Sequence, residues 1–150
     1  MSNSHRAQFV ELSREDSLAM LQRQYVGRLA FAFHDRVDIE PISFVYADGW
    51  LYFRTSPGTK LATVKHHPWV AFEVDEIRGR NDWRSVVVRG TIYFLDPERP
   101  GADRREYDAA LSALRSVDAT ALTDADAVPH RTHLFRIHVD EITGRAAAPA

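Results

Sequence analysis

The chain has 150 residues, of which 45% are hydrophobic and 27% charged, the composition of an ordinary globular domain. Its formal net charge of -2 argues against a protein built mainly to bind nucleic acid. It has no cysteine, which excludes disulfides, thiolate metal sites, iron–sulfur clusters and a cysteine nucleophile. No stretch approaches the roughly 20 apolar residues of a membrane helix, and the start lacks the apolar core of a signal peptide. We therefore expect a single cytoplasmic domain, folded over roughly residues 12–145 and frayed at both ends, with no membrane or nucleic-acid partner.

The first half of the chain predicts one helix and three short strands. Ser13, followed three residues later by Asp16, is typical of a helix N-cap, and Gly27 is the predicted end of that helix. The dipeptide Asp48-Gly49 is a strong turn signal and joins two of the strands in a hairpin. Alternating apolar residues place the strands at 29–33, 42–46 and 50–53.

The second half predicts two more helices and three more strands. The helices run from Gly58 to His66 and from Arg104 to Arg115. An acidic, small-residue loop covers 119–129, and the tail AAAPA is expected to fray because it has nothing to pack. The strands lie at 70–74, 85–95 and 133–139. Short strands joined by hairpins favour an α+β fold dominated by β, an antiparallel barrel of six or more strands with peripheral helices.

The loop after the hairpin is the strongest functional signal. Its sequence, Arg54-Thr55-Ser56-Pro57-Gly58-Thr59-Lys60, combines a guanidinium, an ammonium, hydroxyl donors and the start of a predicted helix. Such groups suit a phosphate monoester, because Arg offers a fork of donors, Lys a point charge and a helix start unpaired N–H groups. The same residues also occur as ordinary helix caps and surface charges. We interpret the loop as a candidate phosphate site.

Trp83 and Ser85 form a second candidate, at the start of the most apolar strand. A tryptophan there could wall a flat ring system, or it could close one end of the barrel, which is the more frequent use of tryptophan. Ser85 could bind the edge of a heterocycle or its own backbone. The chain has no GxGxxG, GxxxxGK[ST], GxSxG or HExxH motif, so the usual signatures of dinucleotide, P-loop, hydrolase and zinc-protease sites are absent from the sequence.

Five segments in a fixed order resemble a known family. They are VGRLAF, PISFVYADGWLYFRTSPGTKL, HHPWVAFEVDE, WRSVVVRGT and HLFRIHVDEITGR. Together they are similar to the pyridoxamine 5'-phosphate oxidase-like, FMN-binding split-barrel proteins, over roughly Leu12 to Arg145. The resemblance implies a split β-barrel and a homodimer that binds two FMN molecules at the subunit interface. It also implies a flavin-dependent oxidoreductase that acts on a small molecule.

The resemblance assigns residues to both ends of the cofactor. Thr55, Thr59 and Lys60 match the family's phosphate-binding positions, with Arg54 and Ser56 beside them.

At the ring end, the strand Ser43-Phe44-Val45 would lie along the flavin and offer backbone groups. Ser85 stands where pyridoxamine oxidases proper carry a glutamine. Trp83 and Arg84 would reach the same flavin, from the same subunit or from its partner. No residue stands out as a required acid or base, so no catalytic residue is predicted.

The chain departs from pyridoxamine oxidases proper at its end. Those proteins are longer and close with a segment containing Trp and Arg that reads the substrate, whereas no tryptophan follows Trp83 here. We therefore do not expect pyridoxamine phosphate oxidation. The chain is closer to the short, general flavin-binding branch, some of whose members reduce nitro-aromatics.

Three alternatives stay open. A related branch binds a deazaflavin, whose acidic tail would need basic residues such as Lys65, Arg78, Arg80 and Arg84. Split barrels also include haem proteins, which need an axial histidine. The chain has seven histidines, of which His130-x-x-His133 and His66-His67 stand out. The third alternative is a flavin carrier or sensor that is not an enzyme.

Overall fold

The computed structural model describes residues 6–58, 64, 68–101 and 103–149, and within them two helices and eight strands. Helix α1 is Arg14–Arg23 and helix α2 is Arg104–Val117. The strands are β1 Ala7–Leu12, β2 Val26–Phe33, β3 Arg36–Ala47, β4 Trp50–Thr55, β5 Trp69–Gly79, β6 Asp82–Leu95, β7 His133–His138 and β8 Glu141–Pro149. The short helix predicted after Gly58 falls largely outside the described residues.

The strands pair antiparallel in one sheet, in the order β1-β8-β6-β5-β2-β3-β4-β7. Strand β7 also pairs with β6, so the six strands from β6 round to β7 close into a barrel-like ring. Strands β8 and β1 extend the sheet beyond that ring. The predicted fold class, antiparallel and dominated by β with peripheral helices, is confirmed.

The long strand β6 makes this topology possible because it changes partner along its length. Residues 83–89 pair with β8, whereas Ile92 to Leu95 pair with β7. Gly90 lies at the change, where a Cβ would stand 3.2 Å from the carbonyl oxygen of His138. A larger residue would push the crossing strands apart at this corner.

Phenylalanines fill the interior of the ring. The rings of Phe53 and Phe135 stack with centroids 4.7 Å apart, and Phe72 meets Phe44 and Phe53 edge-on at 4.9 and 5.1 Å. All four side chains are buried. Burying each contributes roughly 1.5–3 kcal/mol relative to leaving it exposed. The outer face of the sheet, the face turned away from this core, carries the alternate residues of each strand.

Helix α1 begins as predicted but ends earlier. Ser13 Oγ accepts a hydrogen bond from the N–H of Asp16 at 3.0 Å, which confirms the N-cap. The predicted end at Gly27 is wrong, because the helix stops at Arg23 and Gly27 lies inside β2. Glycine is needed there for packing, since a Cβ would overlap the ring of Phe72.

Helix α2 covers the outside of β4 and β7. Its buried residues Ala110, Ala113 and Leu114 pack on Tyr52 and Leu134, which confirms the predicted surface helix. In the part of the chain that the structure describes, neither helix has the length and apolar character needed to cross a membrane.

Both ends of the chain were expected to fray. This is wrong for most of the end residues, because they form strands. Strand β8 continues to Pro149 between β6 and β1, and β1 begins at Ala7. Ala146 and Ala147 are buried although they carry only methyl groups. Backbone hydrogen bonds on both sides hold this strand, and such bonds leave no mark in the side-chain pattern.

Candidate functional site

The structure brings four of the predicted site residues together where β4 ends. They line a cleft of about 430 Å³, here called the β4 cleft. Its walls come from four places in the chain: Val26, Glu40 to Ser43, Arg54 to Ser56, and His130 with Arg131. Hydroxyls, a carboxylate and cationic groups therefore meet in one cleft.

Arg54 fastens the loop that frames the β4 cleft. Its guanidinium donates to the Asp126 carboxylate, from Nη2 to Oδ2 at 2.5 Å and from Nη1 to Oδ1 at 3.3 Å. Nε donates to the carbonyl of Arg131 at 2.9 Å, and Nη2 also donates to the carbonyl of Val128 at 3.1 Å. The sequence predicted this guanidinium beside a phosphate, but the structure pairs it with the chain itself.

Asp126 completes this buried network. Its side chain is fully buried and accepts the N–H groups of Leu122 at 2.8 Å and Val128 at 3.0 Å. The hydrogen bond from Arg54, followed by that from the Val128 N–H, holds the pKa of the Asp126 carboxyl far below its usual range. The carboxylate therefore stays charged and ties two turns of the loop to β4.

Only one residue of the predicted strand Ser43-Phe44-Val45 presents its side chain to the cleft. Ser43 is exposed on the outer face and lines the β4 cleft. Phe44 lies in the core, and its N–H donates to the carbonyl of Tyr25 at 3.0 Å. Val45 packs with the apolar cluster under α2. The Phe44 N–H is therefore already bonded to the residue just before β2.

Trp83 and Ser85 lie together on the outer face of β6. Val86 and Val88 point into the core, so the odd-numbered residues of this part of β6 point outward. The Trp83 ring packs against the ring of Phe9, with centroids 6.3 Å apart. Trp83 and Ser85 line a groove of about 510 Å³, the β6 groove, together with Glu11, Leu12, Val87, Arg89, Ile142, Thr143, Gly144 and Arg145.

Arg84 is separated from its two neighbours by the pleat of β6. It lies on the opposite face and pairs across the strands with Glu76. Glu76 accepts two hydrogen bonds from Arg23, each 2.7 Å long, and one from Gln24. The bonds from Arg23 lower the pKa of Glu76, and the charge of Arg84 adds a smaller effect in the same direction. Arg84 therefore lies beside the ion pair at α1, away from the groove.

A second polar group accompanies Ser85 on the outer face. Ser85 Oγ donates to Glu73 Oε2 at 2.8 Å, and Arg28 Nη1 lies 3.6 Å from Glu73 Oε1 and 3.4 Å from Asp75 Oδ2. Partial burial raises the pKa of Glu73; the hydrogen bond from Ser85 opposes this, and the neighbouring Asp75 adds to it. The row consists of a hydroxyl, two carboxylates and one guanidinium, which offsets one of the two negative charges.

The β4 cleft and the β6 groove lie on the same outer face, but apart. Strands β5 and β2 separate β6 from β3 in the sheet. Three strand spacings correspond to about 14 Å between Ser85 and Ser43. Neither place combines the hydroxyls at the end of β4 with the tryptophan of β6.

The structure says less about the remaining predicted residues. Thr59 and Lys60 lie outside the described residues, as do His66 and His67. His130 lines the β4 cleft, whereas His133 lines a different cleft beside Tyr107. Among the residues that the structure describes, no three His, Asp or Glu side chains lie close enough to hold a metal ion.

Sequence reasoning missed Asp126, Arg131 and Glu73. One signal for Asp126 was present. Arg54 shares the face of Tyr52 on β4, the face that α2 covers, so a charged residue there needs a buried partner. The acidic loop was the obvious source of a carboxylate, but its register against β4, 72 residues away, could not be read from the sequence.

One family model matches most of the chain. The family model described as pyridoxamine 5'-phosphate oxidase matches residues 13–146. A curated protein of Rhizobium meliloti, described as uncharacterized, is 28% identical in an alignment of length 142 that covers 91% of this chain and 93% of that protein.

Solved structures of similar fold cover nearly the whole chain. The chain is similar to an FAD-binding protein of Mesorhizobium loti, with 32% identity, a TM-score of 0.70, and coverage of 93% of this chain and 98% of that one. It is also similar to the FAD-binding protein of Mycobacterium smegmatis, with 27% identity, a TM-score of 0.67, and coverage of 92% and 98%.

Proposed function

The chain belongs to the pyridoxamine 5'-phosphate oxidase family, and from this membership we propose that it binds a flavin nucleotide between two copies of itself. One observation carries the proposal. The β4 cleft offers hydroxyls and a cation, the β6 groove offers an aromatic wall, and both lie on one face but about three strand spacings apart. A second copy, related by a twofold axis, would place its β6 groove over the β4 cleft of the first.

An apolar patch on the same outer face supports the pairing of two copies. Val37, Ile39 and Trp69 are 83%, 62% and 58% exposed. Small alanines complete the patch between them, because Ala30 pairs with both Ile39 and Ala71 and Ala32 pairs with Val37. Contiguous apolar patches of this kind are uncommon on monomeric proteins. A second copy of the chain would bury it.

The residues present fit a flavin nucleotide. Thr55, Ser56 and Arg131 can donate hydrogen bonds to a phosphate, and Trp83 presents a flat apolar surface to a ring. Glu73 accepts the hydroxyl hydrogen of Ser85, so the oxygen of Ser85 keeps its lone pairs for a donor in the groove. When bound, the flavin would supply hydride chemistry, which makes an oxidoreductase of a small molecule the proposed activity.

We propose FMN as the cofactor and FAD as its first competitor. The resemblance to FMN-binding split-barrel proteins is the reason for FMN, and the names of the relatives from Mesorhizobium loti and Mycobacterium smegmatis are the reason for FAD. Both share the flavin ring and the first phosphate, so the β4 cleft and β6 groove suit either. Deazaflavin and haem remain as alternatives to be tested in the same experiment.

The test is a titration of the purified chain with FMN, FAD, a deazaflavin and haem, followed by absorbance, with sedimentation of the same samples. We expect one flavin per chain, bound by a dimer. Trp83→Ala should weaken binding, whereas Tyr93→Ala should not, because Tyr93 is an exposed aromatic on the part of β6 that pairs with β7. Uptake of haem or deazaflavin alone, or full binding by a monomer, would contradict the proposal.

A further inference from the structure

We propose that Arg131 is the arginine that recognises the phosphate next to the flavin, and that Arg54 and Asp126 position it. The inference rests on the proposed function, since the anion is the first phosphate of FMN or FAD. It replaces Arg54, the arginine that the sequence favoured, by one that the sequence did not single out.

The location of Arg131 is the first reason. It lines the β4 cleft with Thr55 and Ser56, two residues of the predicted phosphate loop. An arginine guanidinium can donate two parallel hydrogen bonds to a phosphate and carries a positive charge, whereas a hydroxyl donates one bond and is uncharged. Arg131 therefore stands where a phosphate held by Thr55 and Ser56 would need its charge neutralised.

The second reason is the difference between the two arginines. Arg54 is only 8% exposed and its guanidinium is paired with Asp126, so its charge is neutralised inside the protein. Arg131 uses only its backbone, because its carbonyl accepts from Arg54 Nε at 2.9 Å and its N–H donates to the carbonyl of Val128 at 3.0 Å. Within the described residues, the Arg131 guanidinium has neither a hydrogen bond nor an ion pair.

The buried network explains why the backbone of Arg131 is fixed. Asp126 accepts from Arg54 and from the N–H groups of Leu122 and Val128, which anchors the loop at several points before Arg131. A side chain that starts from a fixed backbone loses less freedom when it binds. Glu40 lines the same cleft, and its carboxylate is the group that would attract Arg131 when no phosphate is present.

The test compares FMN with riboflavin, which has the same ring but no phosphate. Arg131→Gln should weaken FMN binding by about tenfold or more, as expected for the loss of a charge-assisted hydrogen bond, and leave riboflavin binding unchanged. Arg131→Lys should recover part of the loss because it restores the charge without the fork. Arg104→Gln, an exposed arginine on α2, is the matched control and should change neither affinity.

The outcomes separate this inference from the proposed function. If the wild-type chain binds neither FMN nor FAD, the proposed function fails and the inference fails with it. If the wild type binds FMN and Arg131→Gln lowers both affinities equally, or neither, the inference alone is overturned.

The positioning role of Asp126 has its own readout. Asp126→Asn should lower the preference for FMN over riboflavin in the same direction as Arg131→Gln, but by less. In a chain that already carries Arg131→Gln, Asp126→Asn should not change that preference further. A preference unchanged by Asp126→Asn in a chain that folds, as judged by circular dichroism, would refute the positioning role. If this variant does not fold, Arg54→Lys serves for the same comparison.

Discussion

The β4 cleft and the β6 groove lie on one face of one sheet, yet they are constructed in different ways. At the β4 cleft, the side chains of Arg54 and Asp126 are almost completely buried and their hydrogen bonds join elements far apart in the chain. At the β6 groove, the polar row of Arg28, Glu73 and Ser85 consists of partly exposed neighbours on adjacent strands.

The difference shows which half of the proposed site the chain completes by itself. A buried ion pair with every bond made fixes its surroundings, because breaking it leaves an uncompensated charge. Exposed cross-strand pairs hold their partners weakly. We infer that the β4 cleft is ready before any ligand arrives, whereas the β6 groove becomes a binding surface only when a second copy covers it.

The largest expected effect concerns the apolar patch of Val37, Ile39 and Trp69, where the two copies are proposed to meet. Ile39→Glu should place a charge in the apolar patch. In a twofold dimer both copies carry the substitution, so its free-energy cost at the interface is doubled. Burying an isoleucine contributes about 1.5–3 kcal/mol, so the dissociation constant of the dimer should rise at least about 100-fold. Sedimentation velocity measures this. Val117→Glu is the control, since Val117 is similarly exposed on α2; equal effects of the two changes would remove the patch from the account.

The next largest effect concerns the stability of the β4 cleft. Arg54→Met should lower the free energy of unfolding by about 3–5 kcal/mol, because it leaves a buried carboxylate unpaired. The exposed pair of Arg104 with Asp108 is the comparison, and Arg104→Met should cost less than about 1 kcal/mol. Urea unfolding gives both values. A loss as small for Arg54 as for Arg104 would show that the β4 cleft is no more firmly fixed than the surface.

Acid should act on the β4 cleft through Asp126. The pKa of Asp126 is lowered in the folded state, so its contribution to stability is present above the ordinary aspartate pKa of about 3.9 and is lost as the pH falls below it. Stability measured from pH 7 to pH 2 should therefore fall less steeply in Asp126→Asn than in the wild type. Parallel curves would show that Asp126 does not couple folding to protons.

The smallest expected effect lies at the β6 groove and has the opposite sign. The pKa of Glu73 is raised in the folded state, so this carboxyl favours folding when protonated, and that advantage disappears as the pH rises through its folded pKa. Glu73→Gln should therefore stabilise the chain slightly at pH 7, by less than about 1 kcal/mol given its exposure. The gain should vanish near pH 3. A gain that persists in acid would contradict the assigned cause.

Much of the fold could be predicted from the sequence, because the strands carry their signal in alternate residues. Phe53 and Phe72 each belong to a strand in which every second residue is apolar, and their rings meet in the core. The Asp48-Gly49 hairpin could be predicted because both residues adopt a positive φ, 51° and 84°, which this dipeptide tolerates. Such signals are local, so one chain segment is enough to reveal them.

The parts that could not be predicted depend on distant contacts. Strand β8 is held by backbone bonds to β6 and β1, and its alanines give no pattern. The role of Arg54 depends on Asp126, and that of Gly27 on the ring of Phe72. A local motif predicted Arg54 at a phosphate, whereas in the structure its guanidinium is paired with the Asp126 carboxylate.

A mixing experiment can decide whether each flavin site combines the β4 cleft of one copy with the β6 groove of another, as we propose. Arg131→Gln damages the cleft and Trp83→Ala damages the groove, so each variant alone should bind FMN poorly. Mixed dimers made by co-expression would contain one site with both halves damaged and one with both halves intact. We predict that flavin binding returns to one site per mixed dimer. No recovery in mixed dimers of confirmed composition would place both halves of the site in a single chain and contradict the account.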